Sequence, residues 1–283
     1  MMNRKAQNPA KEPHEEARGP WPFVTLRRYH RAGRPLLWLA RDHRKGLFRE
    51  RRALEHTRPA PWHTARYNWI MGLIFCIGSF LFMLGSLLAL FPALTKGLPD
   101  WAANVTFFAG SIPFTTAAYL QLFQAANADE TYTSGAKRPN LFGWDPKSVG
   151  WISAATQFVG TVAFNFNTFD AIKAPSGWLM QNTVIWLPGM IGSVLFLVSA
   201  YLAYIETSHA HNVRPRRELA WWIVAINLLG CIAFMIASTV AYVPRGTDPQ
   251  WALDASNANL WFGAFCFFVA AALSMVEARH AAH

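Results

Sequence analysis

The run WIMGLIFCIGSFLFMLGS, residues 69–86, decides the fold of this chain because its pattern occurs three times. In each copy a tryptophan is followed nine residues later by glycine, then by phenylalanine, then by serine or threonine. The copies are Trp69, Gly78, Phe82, Ser86; Trp151, Gly160, Phe164, Thr168; and Trp221, Gly230, Phe234, Ser238. Self-similarity at a fixed spacing indicates that one structural unit is repeated.

A second apolar segment follows each copy and carries its own pattern. It reads Gly110, Phe114, Ala118, Gln124; then Gly192, Phe196, Ala200, Glu206; then Gly263, Phe267, Ala271, Glu277. The glycine-to-glycine offsets within the three pairs are 32, 32 and 33. Each apolar segment is long enough to cross a bilayer, which takes roughly 20 residues. The sequence therefore predicts an all-α polytopic membrane protein, with six transmembrane helices as three tandem parallel two-helix hairpin repeats.

Composition supports a membrane protein. Hydrophobic residues make up 53% of the chain and charged residues 15%, with 13 Trp and 21 Phe, which is unusual for a soluble domain. Three cysteines, Cys76, Cys231 and Cys266, all fall inside apolar segments. There they are interpreted as small hydrophobic residues rather than as a disulfide framework or a metal site.

The repeat pattern also divides the chain into segments. These are a disordered N-terminus (1–22), a basic Arg-rich cytoplasmic or membrane-surface arm (23–63), hairpin repeat 1 (64–125), a cytoplasmic connector (126–147), hairpin repeat 2 (148–206), a basic cytoplasmic connector (207–218) and hairpin repeat 3 (219–279). Residues 1–66 hold 16 Lys and Arg against 6 Asp and Glu, so the whole net charge of +10 lies there.

The basic arm has three interpretations. It is a topology signal for the cytoplasmic side, or a short surface helix that contacts anionic lipid or a protein partner. A nucleic-acid arm is disfavoured, since no recognition motif accompanies the charge. With the N-terminus inside, the inner segments carry 23 Lys and Arg, and the outer loops carry only Lys96, Lys173 and Arg245. This asymmetry predicts a multi-pass protein of the cell (inner) membrane with both termini cytoplasmic.

Helix geometry assigns roles to the repeated residues. At about 100° per residue, the Gly, Phe and Ser or Thr positions form one narrow stripe, and the tryptophan lies on the opposite face. The stripe predicts close helix packing at six glycines, and the tryptophans are expected in the lipid headgroup belt. The packing glycines are Gly78, Gly110, Gly160, Gly192, Gly230 and Gly263.

Polar residues on the packing faces are the candidate functional residues. Gln124, Glu206 and Glu277 occupy equivalent positions at the cytoplasmic ends of the return helices, where they could bind a cation or cap a pore. Alternatively, these groups lie in water or pair with arginine. Within the spans, the candidates that face the bundle are Gln157, Asn167, Thr168 and Asn227. Such residues either form a ligand site or hold helices together by hydrogen bonds.

Several chemistries find no support in the sequence. All nine histidines lie outside the predicted spans, which disfavours a membrane haem. The chain has no phosphate-binding glycine loop, no nucleophile elbow and no metalloprotease His-Glu pair. We therefore predict no catalytic residues, no metal, no cofactor and no enzymatic activity.

Two stretches resemble the YrhK-like domain, a short two-helix unit of bacterial integral membrane proteins. They are Arg66-Tyr-Asn-Trp69 with Ile77-Gly-Ser-Phe-Leu-Phe82, and the run from Trp151 to Asp170 with Gln157-Phe-Val-Gly-Thr161 and Phe164-Asn-Phe-Asn-Thr168. The second is similar to the element as it occurs in multi-span relatives, and the resemblance covers residues 64–280. It implies an integral membrane protein without an assigned reaction and provides no catalytic residues.

Two functions follow from these observations. The first is a non-enzymatic helical bundle that acts as a structural, lipid-interacting or partner-interacting protein in the bilayer. The second is a small-molecule or ion transporter or channel that uses the axis between the hairpins. A pore requires the polar candidates to line a wet cavity, whereas a scaffold has a dry axis packed with Phe and Gly. No feature of the sequence indicates an oligomeric state.

Overall fold

The structure, a computed structural model, describes residues 16–31, 34–47, 60–128, 139–211, 217–247 and 250–281 of the 283-residue chain. Most of these residues are helical. The elements are β1 Glu16–Arg18, β2 Leu26–Arg31, β3 Arg34–Leu39, α1 Ala40–Lys45, α2 Ala65–Leu90, α3 Ala102–Ala126, α4 Val149–Ile172, α5 Trp178–Ser208, α6 Leu219–Val240 and α7 Gln250–His280.

Local sequence signals set several helix ends. The Thr64 hydroxyl accepts a hydrogen bond from the backbone N–H of Tyr67 at 3.2 Å, and the Ser148 hydroxyl caps α4 in the same way. Pro92 follows the last residues of α2, where a continued helix would clash with the proline ring. Near its start, α5 contains one π-helical turn, Asn182–Trp186.

The six long helices form a closed ring. Each packs on the helices before and after it in the chain, and α7 closes the ring against α2. Neighbours run in opposite directions: the hydroxyl of Tyr67, near the start of α2, donates to the carbonyl oxygen of Leu120, near the end of α3, at 2.8 Å. At the closure, Gly72 of α2 lies against Ala271 and Met275 of α7.

Four helices in the described part of the chain are long and apolar enough to cross a membrane: α2, α5, α6 and α7. The helices α3 and α4 are of similar length, 25 and 24 residues, but are more polar and do not meet that criterion. The structure thus fits the predicted helical class and a membrane protein. The small sheet of the N-terminal region is the exception to an all-α fold.

The six predicted packing glycines lie in three contact pairs. A Cβ added to Gly78 would be 3.0 Å from the carbonyl oxygen of Gly110, and the Gly160–Gly192 and Gly230–Gly263 pairs approach similarly, at 3.2 and 2.9 Å. In each pair, the phenylalanine of one helix covers the glycine of the other. The glycines therefore allow the two helix backbones to touch.

Six phenylalanines fill the middle of the ring, and we call them the phenylalanine cluster. They are Phe82, Phe114, Phe164, Phe196, Phe234 and Phe267, one from each long helix. Their rings contact one another with centroids 5.0–6.5 Å apart, and none is more than 6% exposed. Pairs at this spacing attract through edge-to-face contacts. The cluster therefore closes the axis of the ring at this level.

The expected position of two repeated tryptophans is wrong. Trp151 and Trp221 do not face lipid: they are 8% and 5% exposed. Trp151 packs on Leu122 and Ala125 of α3, and its indole N–H donates to the carbonyl oxygen of Phe142 at 3.0 Å. The face opposite the glycine stripe is buried because, in a closed ring, each helix has two helical neighbours.

The arm, residues 23–63, also differs from the surface helix considered above. Strand β1 lies before the arm, in residues 1–22, the segment expected to be disordered, and it forms an antiparallel sheet with β2 and β3. In this sheet Arg27 lies over the ring of its cross-strand partner Trp38 at 5.3 Å. Strand β3 leads into α1, which ends at Gly46 with φ 68°. The predictions for residues 1–15, for 48–59 of the arm, and for 129–138 and 212–216 of the connectors lie outside the described residues.

Candidate functional site

The arm is docked across one end of the ring, which we call the mouth. Helix α1 contacts α3, α4 and α5 there. Its three basic side chains, Arg41, Arg44 and Lys45, are only 5%, 6% and 7% exposed. Buried cations of this kind require charged partners, because an unpaired charge out of water is strongly unfavourable.

The partners are the two predicted glutamates. Arg41 donates through Nη1 and Nη2 to Oε1 and Oε2 of Glu277 at 2.7 and 2.9 Å, and the Nζ of Lys45 reaches the same Oε2 at 2.7 Å. The Nη2 of Arg44 donates to Oε2 of Glu206 at 2.7 Å. Two-point Arg–carboxylate contacts are among the stronger hydrogen-bonded pairs in proteins. Salt bridges therefore join the arm to the ends of α5 and α7.

The third equivalent position also holds the arm, but by a neutral contact. The Nε2 of Gln124 donates to the carbonyl oxygen of Trp62 at 2.7 Å and to Oδ1 of Asn68 at 3.1 Å. Asn68 in turn donates to the carbonyl oxygen of Lys45 at 2.8 Å. Of the alternatives given for these positions, pairing with arginine is the one observed for Glu206 and Glu277, and Gln124 contacts no cation within the described residues.

Gly150, at the start of α4, makes room for one of these ion pairs. A Cβ at this position would lie 2.5 Å from both Nε of Arg44 and Oε1 of Glu206. Since side chains cannot approach so closely, any residue larger than glycine would push the pair apart. Gly150 is therefore part of the mouth.

Burial and charge act together on the ionisable groups of α1. Burial lowers the pKa of Lys45 to about 8, and repulsion from Arg41 and Arg44 adds to this, while Glu277 opposes it. Burial raises the pKa of the Asp42 carboxyl. Both shifts disfavour the charged form, although the Lys45 side chain is only 9% exposed and that of Asp42 is 31% exposed.

A cavity of about 120 Å³ lies between α1 and the phenylalanine cluster. Phe114, Phe196 and Phe267 of the cluster line it, and so do Arg41, Arg44, Lys45 and Glu206. The predicted candidates Gln157 and Asn227 lie in its wall together with Gln121. The half of the axis near the arm is therefore polar and roomy.

The other half of the axis is tightly packed. The void among Phe82, Phe164 and Phe234 is about 10 Å³, which is at or below the space that one water needs. Asn167 and Thr168 lie beyond the cluster from the cavity, and both make interhelical hydrogen bonds. Asn167 donates to the carbonyl oxygen of Ile185 at 2.7 Å. Thr168 donates to the Ser111 hydroxyl at 3.3 Å and to its own helix.

The structure thus separates the predicted residues into three groups: Gln124, Glu206 and Glu277 at the mouth, Gln157 and Asn227 in the cavity, and Asn167 and Thr168 beyond the cluster. Sequence reasoning missed Arg41, Arg44, Lys45 and Gln121. Two features of the sequence could have indicated them. Two carboxylates at equivalent positions on the packing faces require cations nearby, and Gln121 lies one helical turn before Gln124, on the same face of the helix.

Among the described residues, no group of three or more His, Cys, Asp or Glu side chains is arranged to hold a metal ion. Comparison of the chain with protein-family models, with curated proteins and with solved structures found no match. The resemblance to the YrhK-like domain therefore stays a prediction, and the function must be argued from the geometry of the bundle.

Proposed function

We propose that this chain is a non-enzymatic, multi-pass protein of the cell (inner) membrane, a closed helical bundle whose own arm is docked as an internal partner. The observation that carries this proposal is that all three equivalent positions, Gln124, Glu206 and Glu277, bind the arm. A group of residues used entirely to hold one segment is typical of a structural contact. We further propose that the bundle is a relative of the YrhK-like domain.

In this proposal all six long helices span the bilayer as three tandem parallel hairpins. Four of them are candidate spans by length and composition. Some polar side chains of the other two, α3 and α4, bond to each other: Thr115 donates to Oδ1 of Asn165 at 3.1 Å, and Asn104 donates to the carbonyl oxygen of Ala171 at 2.8 Å. Others donate to carbonyl oxygens of their own helix, as Thr106 and Thr161 do. Polar groups satisfied in this way are tolerated within a membrane.

The orientation follows from charge. The mouth carries the basic arm, and cytoplasmic segments of membrane proteins are enriched in Lys and Arg. We therefore place the mouth and both termini in the cytoplasm. The sheet of the docked arm still exposes Arg18 and Arg28, together with Leu37, which is 46% exposed. These side chains would contact anionic lipid or a protein partner.

A second function, transport or conduction, is favoured by one observation. The cavity under the arm is lined by Gln157 and Asn227, as expected for a wet pathway. However, the phenylalanine cluster blocks the axis beyond it, so transport would require the rings to separate. A solute would also have to displace α1. The geometry therefore supports the closed bundle better than an open channel.

Labelling of single cysteines tests the number of spans. In a background without the three natural cysteines, Lys96→Cys and Lys173→Cys are expected to react with an impermeant maleimide from outside, whereas Lys147→Cys reacts only from the cytoplasmic side. If α3 and α4 did not cross, Lys147→Cys would react from outside as well. That outcome would refute six spans and leave four.

A flux assay in proteoliposomes tests the closed axis. Wild type and Glu206→Gln are both expected to be as impermeable to small ions and solutes as empty vesicles. Phe164→Ala with Phe234→Ala, combined with Glu206→Leu to release the arm, opens both the cluster and the mouth and serves as the positive comparison. Solute flux through the wild type would refute the closed bundle and favour the transporter.

A further inference from the structure

Three side-chain amides line the cavity, from three different helices. Among the residues that the structure describes, Gln121, Gln157 and Asn227 make no hydrogen bond. Elsewhere in the helices, by contrast, Asn104 and Asn167 are hydrogen-bonded. An amide offers both donors and acceptors, and these three partly exposed side chains leave theirs available to an occupant of the cavity that they line. These three side chains therefore indicate a polar occupant.

The roof of the cavity favours a negatively charged occupant. Arg41, Arg44 and Lys45 line it as cations and Glu206 as an anion, while Glu277, outside the lining, accepts from Arg41 and from Lys45. Nε and Nη2 of Arg44 donate to the Glu206 carboxylate, and Nη1 has no acceptor within the described ranges. A carboxylate or similar anion could accept from this free edge and from Lys45.

The floor of the cavity favours an occupant with an apolar body. Phe114, Phe196 and Phe267 form the floor, and Met71 and Ile223 contribute to the wall. The volume of about 120 Å³ is somewhat below that of an engineered protein cavity of about 150 Å³ that accepts benzene. The space thus suits a molecule of about six non-hydrogen atoms and excludes a long acyl chain.

We propose that this cavity is a binding site for a small organic monocarboxylate. The carboxylate would lie toward Arg44 and Lys45, the apolar body against Phe114 and Phe196, and the amides of Gln157 and Asn227 between them. This site rests on the closed bundle proposed above, but not on the number of spans or on transport. Since α1 forms the roof, a bound anion would also stabilise the docked arm.

Calorimetric titration of the full-length protein in detergent tests the chemical class. The ligands are acetate, butyrate, benzoate, hexanoate and decanoate, with butyramide and benzamide as uncharged analogues. We expect the tightest binding for butyrate, which has about six non-hydrogen atoms, and binding at least about tenfold weaker for the amides, because charge-assisted hydrogen bonds are lost. Equal binding of acid and amide, or no binding of any acid at millimolar concentration, would overturn the proposal. Tightest binding of decanoate would identify a lipid-like site instead and overturn it too.

Matched substitutions test the location. Gln157→Leu and Asn227→Leu each remove a cavity amide and are expected to weaken butyrate binding about tenfold or more. Gln181→Leu makes the same change at an exposed residue at the far end of the bundle and leaves binding unchanged. Unaltered binding in both cavity variants would overturn this location. Should a variant unfold, ligand-induced slowing of hydrogen exchange in wild-type Ala40–Lys45 gives an independent readout, and no slowing counts against the site.

Discussion

The two halves of the bundle apply the same repeat in different ways. In the half around the phenylalanine cluster, equivalent positions carry the same residue, and three Gly–Gly contacts recur with nearly the same geometry. At the mouth, equivalent positions carry Gln124, Glu206 and Glu277, and each binds a different part of one arm. The half around the phenylalanine cluster, which we call the symmetric half, is built from the same Gly and Phe residues in each repeat. The mouth uses different residues because the single arm contacts each repeat differently.

This contrast explains why one equivalent residue is an amide and two are acids. Gln124 meets a backbone carbonyl oxygen, which needs a neutral donor, whereas Glu206 and Glu277 meet guanidinium and ammonium groups. Around them, Asn68 and Gly150 occupy the same repeat position, yet one bonds to the arm and the other makes space for an ion pair. Departures from the repeat therefore mark where the arm docks.

The largest expected effect comes from breaking a charge pair at the mouth. Glu206→Leu leaves Arg44 buried without its carboxylate, and losing one partner of a buried ion pair costs about 3–5 kcal/mol. We expect the arm to undock while the ring stays folded, so hydrogen exchange in Ala40–Lys45 approaches the unprotected rate. Glu218→Leu, at an exposed acid, is the control. Unchanged exchange in Glu206→Leu would show that the ion pair does not hold the arm.

A smaller effect is expected in the symmetric half. In Gly230→Ala the new Cβ would lie 2.6 Å from the Phe267 ring and 2.9 Å from the carbonyl oxygen of Gly263. Overpacking of this kind costs about 1–3 kcal/mol, although alanine is intrinsically the better helix former by about 1 kcal/mol. Thermal unfolding in detergent should show a lower Tm than for wild type. Ala258→Leu, on the exposed face of α7, is the control, and a raised Tm for Gly230→Ala would contradict close packing of these helices.

The smallest effect concerns pH and the mouth. The pKa of Lys45 is lowered to about 8 in the docked arm from 10.5 in water, so docking disfavours its protonated form. Below pH 8, Lys45 is protonated in both the docked and the released arm, so docking carries the full free-energy cost of burying its charge. Between pH 8 and 10.5 only the released arm keeps the proton, so docking strengthens as pH rises, by at most about tenfold per pH unit.

A nitroxide on Leu37→Cys, with the natural cysteines replaced, would report this change as reduced mobility between pH 8 and 10.5. Lys45→Met removes the titrating group, so its label mobility should be independent of pH over that window. Weaker docking at high pH in the wild type would show that the ion pair with Glu277 dominates over burial. The symmetric half has no part in this titration and serves as the internal reference.

Much of the ring could be predicted because the residues that form its contacts recur at helical spacing within each repeat. Gly160 and Gly192 have matching patterns, and the residues that follow them, Phe164 and Phe196, pack over these glycines from the facing helix. Helical spacing alone places such residues on one face. Gln157 likewise lies on the cavity side, as its position three residues before Gly160 indicates.

The arm could not be predicted in the same way. Arg44 and Glu206 are 162 positions apart, and Arg41 and Glu277 are 236 positions apart, so no local pattern connects them. A run of arginines fits equally well a lipid surface or a buried carboxylate. The predicted position of the tryptophans was wrong for a related reason. Trp221 lies opposite the glycine stripe, but in a ring that face contacts Tyr204 and Ile205 of the preceding helix.

The arm belongs to the same chain as its docking site and is joined to α2 through residues 48–59. Its effective concentration at the mouth is therefore on the order of millimolar, as for other short tethers. A soluble peptide with the same basic residues would have to outcompete this intramolecular segment. A protein or lipid surface would release the arm more readily if it bound several sites on the arm at once. Its combined affinity could then exceed the effect of the high local concentration of the docking site.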